Sequence, residues 1–309
     1  MKLIASSVVR GQYQDASQGG LYLIDVKPQS VQRSLDWNET EFDWQSRGRE
    51  TGLRGIAFDG DIFYCMASDE LLAFNAKFEL VDSWRNSYLK YCRGIAVHER
   101  KLFIASSGFD SIIGFDLDSQ KFDWALQILT QGFEIGAHPF DPLADDGPLM
   151  IGKLDLRDVY CDASGMYMSS ETGLIRFSGE KISVAAELPP GSHNARPFRD
   201  GLLFNDSLGG RLRYAGRGEG EEDRALAVPH YYDSDIQHRR WCDDELAKAG
   251  FARGLCQIND SVVAAGSSPA TVSIYNLAAN ERLLSVRLSN DARTSIHSVA
   301  VWPFDSRAG

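Results

Sequence analysis

A six-residue stretch occurs twice in this chain of 309 residues. Residues 53–58 read Leu-Arg-Gly-Ile-Ala-Phe, and residues 92–97 read Cys-Arg-Gly-Ile-Ala-Val. A second apolar run begins nine residues after the anchors Arg93, Arg157, His193 and Arg253, and eight residues after Arg54. Internal repeats constrain architecture more strongly than local propensity does, so this spacing determines which folds are open to the chain.

Each anchor opens a short apolar run, followed by a turn rich in Asp, Asn and Gly and by a second run, which is typical of a β-hairpin. A third and a more polar fourth run complete every unit, giving five complete units. Residues 2–37 supply three further strands and residues 295–302 a first strand, so pairing of the termini would complete a sixth unit. Radially repeated four-stranded units predict an all-β fold, a six-bladed β-propeller, as a single domain over residues 1–309.

Three repeated elements carry a family resemblance: Arg-Gly-Ile-Ala, Gly-Phe-Asp-Ser-Ile-Ile-Gly-Phe-Asp at 108–116 and Gly-Ser-Ser-Pro-Ala-Thr-Val at 266–272. Through them essentially the whole chain resembles six-bladed propellers of the NHL and gluconolactonase-like group. Its closing segment, 296–304, is similar to bacterial propeller families of unassigned function. Such motifs specify architecture rather than chemistry.

The resemblance implies that the first strand of each blade lines a central channel. The six anchor positions would then form a ring around one opening: Arg54, Arg93, Arg157, His193, Arg253 and His297. Arginine forks match carboxylate, phosphate or sulfate, so the ring predicts a site for a small anionic substrate, held by Arg54, Arg93, Arg157 and Arg253. The alternative is a network of internal ion pairs with Asp155, Asp158 and Asp206.

Proton transfer at such a site would fall to His193 or His297, with Asp158 as the third catalytic candidate. Asn194 and Asn205 would orient a substrate by hydrogen bonds, or would serve the backbone as turn and strand-end residues do.

A metal site is a separate possibility, because five histidines would approach the mouth: His138, His193, His230, His238 and His297. Their spacing matches no established ligand motif, so the cofactor stays unknown and a divalent transition metal is an alternative. Gluconolactonase-like relatives hold a divalent cation with a glutamate, two asparagines and an aspartate. Arg54, Arg93 and Arg253 stand at the matching positions here, which argues against a calcium-dependent lactonase.

Two long connections, 128–155 and 229–252, are expected to be loops over this mouth, with a short helix at 241–250. A net charge of −11 opposes binding to nucleic acid or to anionic lipid. Five cysteines without CxxC spacing indicate reduced thiols, and no signal peptide or membrane span is recognisable, which together predict a cytoplasmic protein.

The functional prediction is an enzyme that acts on a small anionic metabolite, a lyase, cyclase or isomerase using histidine acid/base chemistry. One alternative is a non-catalytic scaffold for a protein partner. In that case the long loops would expose an apolar or aromatic patch, with Tyr231, Tyr232 and Trp241 as candidates, and the arginines would be locked in internal pairs. A third reading is a metal-dependent oxygenase or hydrolase built on the histidines.

Overall fold

The fold comes from a computed structural model that describes residues 1–10, 18–37, 50–132, 134–171, 173–220, 222–238 and 250–304. Within it the chain divides into two compact units. Unit 1 is residues 1–54 with 197–309, and unit 2 is residues 55–196. The boundary at 196/197 falls inside one strand.

The chain begins with four strands, β1 (Lys2–Arg10), β2 (Gly19–Asp25), β3 (Ser30–Asp36) and the short β4 (Glu50–Gly52). Blade 1 consists of β5 (Ile56–Asp59), β6 (Ile62–Met66), β7 (Glu70–Asn75) and β8 (Leu80–Arg85). Blade 2 consists of β9 (Cys92–His98), β10 (Lys101–Ser106), β11 (Ser111–Asp116), β12 (Lys121–Gln131) and β13 (Glu134–Phe140). Blade 3 consists of β14 (Asp158–Asp162), β15 (Gly165–Ser169), β16 (Gly173–Phe177) and β17 (Ile182–Glu187).

Blade 4 consists of β18 (Ser192–Phe198), β19 (Gly201–Asp206), β20 (Arg211–Gly216) and β21 (Arg224–Ala227). Blade 5 consists of β22 (Ala252–Gln257), β23 (Val262–Ser267), β24 (Thr271–Asn276) and β25 (Glu281–Arg287). Blade 6 has the strand order β26 (Thr294–Val301), β1, β2, β3, with β4 paired to β1. Two short 3-10 turns, Ser107–Phe109 and Asp233–Asp235, lie among the described residues. The predicted all-β, six-bladed propeller is therefore confirmed.

The sixth blade joins the two ends of the chain, as the repeat spacing predicts. Leu3 pairs with Val301 and Ser7 with Ile296 in an antiparallel register. The pairing is well anchored because the side chains of Leu3 and Ile296 are fully buried. An inner strand supplied by the C-terminus also leaves β1 no free edge on that side.

The glycine of the repeated Arg-Gly pair allows neighbouring first strands to approach each other. A Cβ built on Gly55 would lie 2.7 Å from the carbonyl oxygen of Arg93, and one built on Gly94 would lie 2.7 Å from Cα of Asp158. In a close-packed interior, a Cβ atom does not lie closer than about 3 Å to a heavy atom of a neighbouring strand. The repeat therefore has a packing origin: glycine follows the arginine because the next blade's first strand lies directly beside it.

The apolar faces of the blades are buried against their neighbours within each unit. One cluster in unit 2 joins Ala57 and Leu71 of blade 1 to Ile104 and Phe115 of blade 2. Another joins Ile112 of blade 2 to the third blade, and in unit 1 a cluster joins blade 5 to blade 6. This is the nearest-neighbour burial by which a repeated β architecture builds a core.

One expectation about the connections is wrong. Residues 128–140 are not a loop, because β12 continues to Gln131 and turns into a fifth strand, β13, which pairs with it from Ala125↔Phe140 to Gln131↔Glu134. The true loop of this connection is 141–157. The helix expected at 241–250 lies outside the described residues, apart from Gly250. No helix in the described part of the chain has the length and apolarity needed to cross a membrane.

Candidate functional site

Two of the predicted arginines in unit 2 share one carboxylate. Arg157 donates from Nε to Oδ2 of Asp155 at 2.9 Å, and Nη2 of Arg93 lies 2.9 Å from Oδ1 of the same residue. Arg157 also pairs with Glu171, on the turn between β15 and β16, and donates from Nη1 to the carbonyl oxygen of Ser192 at 3.2 Å. We call Arg93, Asp155, Arg157 and Glu171 the arginine network. Its two guanidinium groups are balanced by two carboxylates, which is the internal pairing that the sequence left as the alternative.

Burial governs the electrostatics of this network. The side chain of Arg157 is only 9% exposed, whereas that of Arg93 is 23% exposed. Burial lowers the pKa of Arg157, Asp155 opposes that shift by charge and hydrogen bonding, and the nearby positive charge of Arg93 adds to it. A buried guanidinium next to a second cation needs its carboxylates, and Asp155 supplies one that both arginines use.

His193 and Asp158 lie in the same unit but make separate contacts. Nδ1 of His193 is 2.9 Å from the carbonyl oxygen of Gly191, and since a carbonyl only accepts, Nδ1 carries the proton. The ring is buried. Asn194 donates from Nδ2 to Oδ2 of Asp158 at 2.9 Å, while Oδ1 of Asp158 accepts from the amide of Val159 at 3.0 Å. Asp158 and Asn194 therefore form a pair between β14 and β18.

The predicted residues of unit 1 are almost completely buried. Nη2 of Arg253 lies 2.6 Å from Nε2 of His297. Because a guanidinium only donates, Nε2 accepts and His297 is neutral with its proton on Nδ1. The carbonyl oxygen of Arg54 accepts from Oγ of Ser6 at 2.6 Å, and Asn205 donates to the carbonyl oxygen of Gly254 at 3.1 Å. Asn205 thus serves the backbone.

The 141–157 loop is held near both ends, by side chains of the connection between β8 and β9 and by Asp110 of blade 2. Oη of Tyr88 donates to the carbonyl oxygen of Ala144 at 2.6 Å and accepts from the amide of Gly147 at 2.8 Å. Asn86 donates to the carbonyl oxygen of Pro142 at 2.8 Å. At the other end, Oδ2 of Asp110 accepts from two backbone amides, those of Lys153 at 2.5 Å and of Leu154 at 2.9 Å.

Asp110 is an unusual anchor because it is an acidic residue that is only 4% exposed. Oδ1 has no hydrogen-bond partner among the described residues. Burial raises the pKa of Asp110, and the backbone amides of Leu154 and Lys153 offset part of that rise.

Between these two anchors the loop presents a run of aliphatic side chains to solvent. Leu149 is 78% exposed, Met150 57% and Ile151 63%, and Leu143 earlier in the loop is 69% exposed. We call Leu149, Met150 and Ile151 the aliphatic finger. Asp145 and Asp146, both exposed, precede it. Sequence reasoning missed it, although three large apolar residues in an otherwise acidic and glycine-containing connection were a visible signal.

The second long connection, in unit 1, is described over residues 229–238 and 250–252. Asp291 contacts this connection at His238, whose Nδ1 lies 3.2 Å from Oδ2 of Asp291. Arg293 donates from Nη2 to the same oxygen at 2.6 Å. Tyr231 packs under the guanidinium of Arg287 at 3.9 Å, whereas Tyr232 is exposed. Trp241 lies outside the described residues.

The loop histidines do not gather into a ligand set. His138 lies exposed on β13, the outer edge of blade 2 and the opposite edge from β9, while His230 is an exposed residue of the second connection. In the ranges that the structure describes, no three His, Cys, Asp or Glu side chains form a group that could hold a metal ion.

Comparisons with known proteins bear on the fold. No family model matches the sequence, and no curated protein matches it. Among solved structures, a chain of a nidogen/laminin complex superposes with a TM-score of 0.58 at 11% identity, covering 97% of this chain and 98% of that one. The WD40 repeats of RRP9 give a TM-score of 0.47 at 11% identity, covering 78% of this chain and 65% of that one. At this identity the first likeness shows the fold alone, which is the all-β architecture built from six blades.

Proposed function

We propose that this chain is a non-catalytic module that binds another protein, and that the aliphatic finger of the 141–157 loop is its docking element. The observation that carries the proposal is the exposure of Leu149, Met150 and Ile151 between two hydrogen-bonded anchors. Large aliphatic side chains held out in water cost free energy unless a partner covers them.

The anchors matter because they fix the loop before binding. A docking segment that is already ordered loses little conformational entropy when it binds, and so more of its contact energy appears as affinity. Tyr88 and Asp110 restrain the backbone on either side of the finger through bonds to residues 144, 147, 153 and 154. The finger is therefore suited to enter a preformed groove.

The chemistry of the finger defines the partner. Three aliphatic side chains fit an apolar groove, and the carboxylates of Asp145 and Asp146 beside them favour basic residues at one end of that groove. The paired state of the arginine network supports the same reading, because the guanidinium groups of Arg93 and Arg157 are both already paired with carboxylates.

Site-directed photo-cross-linking tests this proposal in the cells that produce the protein. A benzophenone side chain at position 150 should yield one discrete adduct, and the same group at Leu80, an equally exposed position on β8, should not. The cross-linked protein, once identified and purified, should bind with an affinity that Leu149→Asp with Ile151→Asp weakens at least tenfold. Leu80→Asp is the matched control. Adducts of equal yield at both positions, or binding indifferent to the finger, would contradict the proposal.

One observation favours a second candidate, an enzyme that acts on a small anionic metabolite. Arg93 keeps 23% of its side chain exposed, so an anion could compete with Asp155 for it. His193 would act through Nε2, because Nδ1 donates to Gly191. Incubation with small carboxylates and phosphates, followed by NMR, tests this candidate. Turnover that survives both Arg93→Ala and His193→Ala would place the chemistry elsewhere.

We also propose a family relationship and a cellular location. The repeated Arg-Gly-Ile-Ala and Gly-Phe-Asp elements support the NHL and gluconolactonase-like group as relatives. Free thiols at Cys65, Cys92, Cys161 and Cys256 support a reducing compartment such as the cytoplasm. Fluorescence microscopy of the tagged protein in its own cells tests the location.

A further inference from the structure

A pocket of about 400 Å³ opens between blades 2 and 3 of unit 2, and its lining residues lie outside the 141–157 loop. Its walls come from the ends of β9 and β10, from β12, and from the turns that follow β14 and β16. Pockets of 300–1,000 Å³ lined by aromatic side chains are typical of small-molecule sites.

Strand register explains which side chains line this pocket. Phe103 pairs with Gly114, and Gly114 pairs with Trp124, so these residues form one row across blade 2. Cys161 pairs with Met166, and Met166 with Phe177, which gives a facing row across blade 3. The centre of the first row lacks a side chain because it is a glycine.

Gly114 is also the reason that the pocket wall stays aromatic. A Cβ built there would lie 3.1 Å from Cβ of Trp124 and 3.2 Å from Cδ of Lys101, closer than ordinary packing. The indole of Trp124 and the stem of Lys101 therefore occupy the room beside the glycine. Trp124 meets Phe103 edge-on, with ring centroids 5.5 Å apart and planes at 86°.

Part of the pocket lining consists of aromatic rings and sulfur-containing side chains. Trp124, Phe103, Phe177, Met166 and Cys161 provide polarisable apolar surface. Burial, with a smaller contribution from Asp162, raises the pKa of the Cys161 thiol to about 12, so this cysteine stays neutral.

The charged groups in the lining each have a polar neighbour, and Oε1 of Glu99 lies 3.8 Å from Nε2 of His98. Nζ of Lys101 lies 2.7 Å from both carboxylate oxygens of Asp123. Asp162 accepts from the amide of Ser164 at 2.8 Å and from its hydroxyl at 2.6 Å. A ligand that carried a charge would have to break these contacts, whereas a neutral ring would leave them intact.

We propose that this pocket binds a neutral, planar aromatic small molecule of one or two rings, at a site separate from the protein-docking loop. Edge-to-face contacts with Phe103 and Trp124 and sulfur contacts with Met166 would hold the ring. The size of the pocket suits a bicyclic compound.

Calorimetric titration with indole and with 2-naphthol tests the proposal, and cyclohexanol serves as the non-aromatic probe. We expect dissociation constants on the order of 0.1–1 mM for the aromatic probes, as for other ligands of about ten heavy atoms. Cys161→Phe, which fills the space, and Trp124→Leu, which removes a ring, should each weaken binding at least tenfold. Trp84→Leu is the matched control, because Trp84 is a half-buried tryptophan of blade 1 that does not line the pocket.

Thermal melting first establishes that each variant is folded. If the Cys161→Phe variant is unfolded, the Trp124→Leu variant alone is used for the test. Absence of binding by either aromatic probe in the wild type overturns the proposal, as does equal weakening by Trp84→Leu. Cyclohexanol binding as tightly as indole overturns the aromatic class. N-acetyltryptophanamide binding tenfold tighter than indole would assign the pocket to a peptide side chain and overturn the small-molecule assignment.

Discussion

Oδ2 of Asp155 lies 2.9 Å from Nε of Arg157, and the other oxygen of this carboxylate is the same distance from Nη2 of Arg93. One side chain thus compensates two cations, Arg93 on β9 and Arg157 immediately before β14, and these are the first strands of adjacent blades. The charge at the start of the repeated motif therefore has a structural function, which is to link these strands through a shared carboxylate.

Asp155→Asn should destabilise the protein markedly. The amide keeps the shape of the carboxylate but removes its charge, and Arg157 is then left with Glu171 as its acidic partner. We expect a loss of about 2–4 kcal/mol in the free energy of unfolding, measured with urea. Asp118→Asn is the control, since it removes a carboxylate of an exposed ion pair with Arg100 and should have far less effect. Equal losses of unfolding free energy in the two variants would show that the shared carboxylate of Asp155 stabilises the protein no more than an exposed ion pair does.

Gly94→Ala should destabilise the protein because the added methyl would overlap with the backbone of Asp158. Overpacking of this kind costs about 1–3 kcal/mol. Gly173→Ala on β16 is the comparison, because the nearest atom to its Cβ would be 3.3 Å away. Chemical denaturation of both variants checks the difference. An unchanged midpoint for Gly94→Ala would mean that the repeated glycine is not required for close strand approach.

Tyr88→Phe should loosen the loop while leaving the blades intact. It removes the hydroxyl that donates to Ala144 and accepts from Gly147, at an overall cost of about 1 kcal/mol. Hydrogen exchange followed by mass spectrometry should show faster exchange in residues 144–151 and unchanged exchange in the strands of blades 1 and 2. Protection of that segment equal to the wild type would contradict the role of Tyr88 as an anchor of the aliphatic finger.

Because of Asp110, the free energy of unfolding should depend on pH in the direction opposite to that expected for an acid held in an ion pair. Its pKa in the folded protein is raised above the ordinary value of 3.8, so the folded state favours the protonated form. That contribution is fully present below pH 3.8 and is lost as the pH rises through the raised pKa.

Unfolding free energies of the wild type and of Asp110→Asn, measured from pH 3.5 to pH 7, isolate this effect by subtraction. The wild type should lose stability relative to the variant as the pH rises across that interval. A difference that is constant with pH, or that changes in the opposite direction, would show that Asp110 is not a strained buried acid.

The architecture was predictable from sequence because the strand spacing repeats. The pairing of β26 with β1 follows from counting strands at the two ends, and Asp155 was foreseeable as a partner for nearby arginines. Strand β13 was not, because a hairpin at 128–140 extends one blade beyond the repeat. Glu171 was also missed, since its contact with Arg157 depends on how a turn folds back. The lining of the pocket between blades 2 and 3 depends on register between strands, which single-residue patterns do not reveal.

The measurement that tests the account most directly is thermal unfolding across a panel of small carboxylates, phosphates and sulfates, with Arg93→Ala beside the wild type. If the arginine network is a closed structural array, no anion should raise the melting temperature of the wild type selectively. A ligand of this site at about 100 times its Kd would stabilise the protein by about 2.7 kcal/mol, or several degrees. A selective rise of that size, lost in Arg93→Ala, would contradict the docking account and identify the arginines as a substrate site.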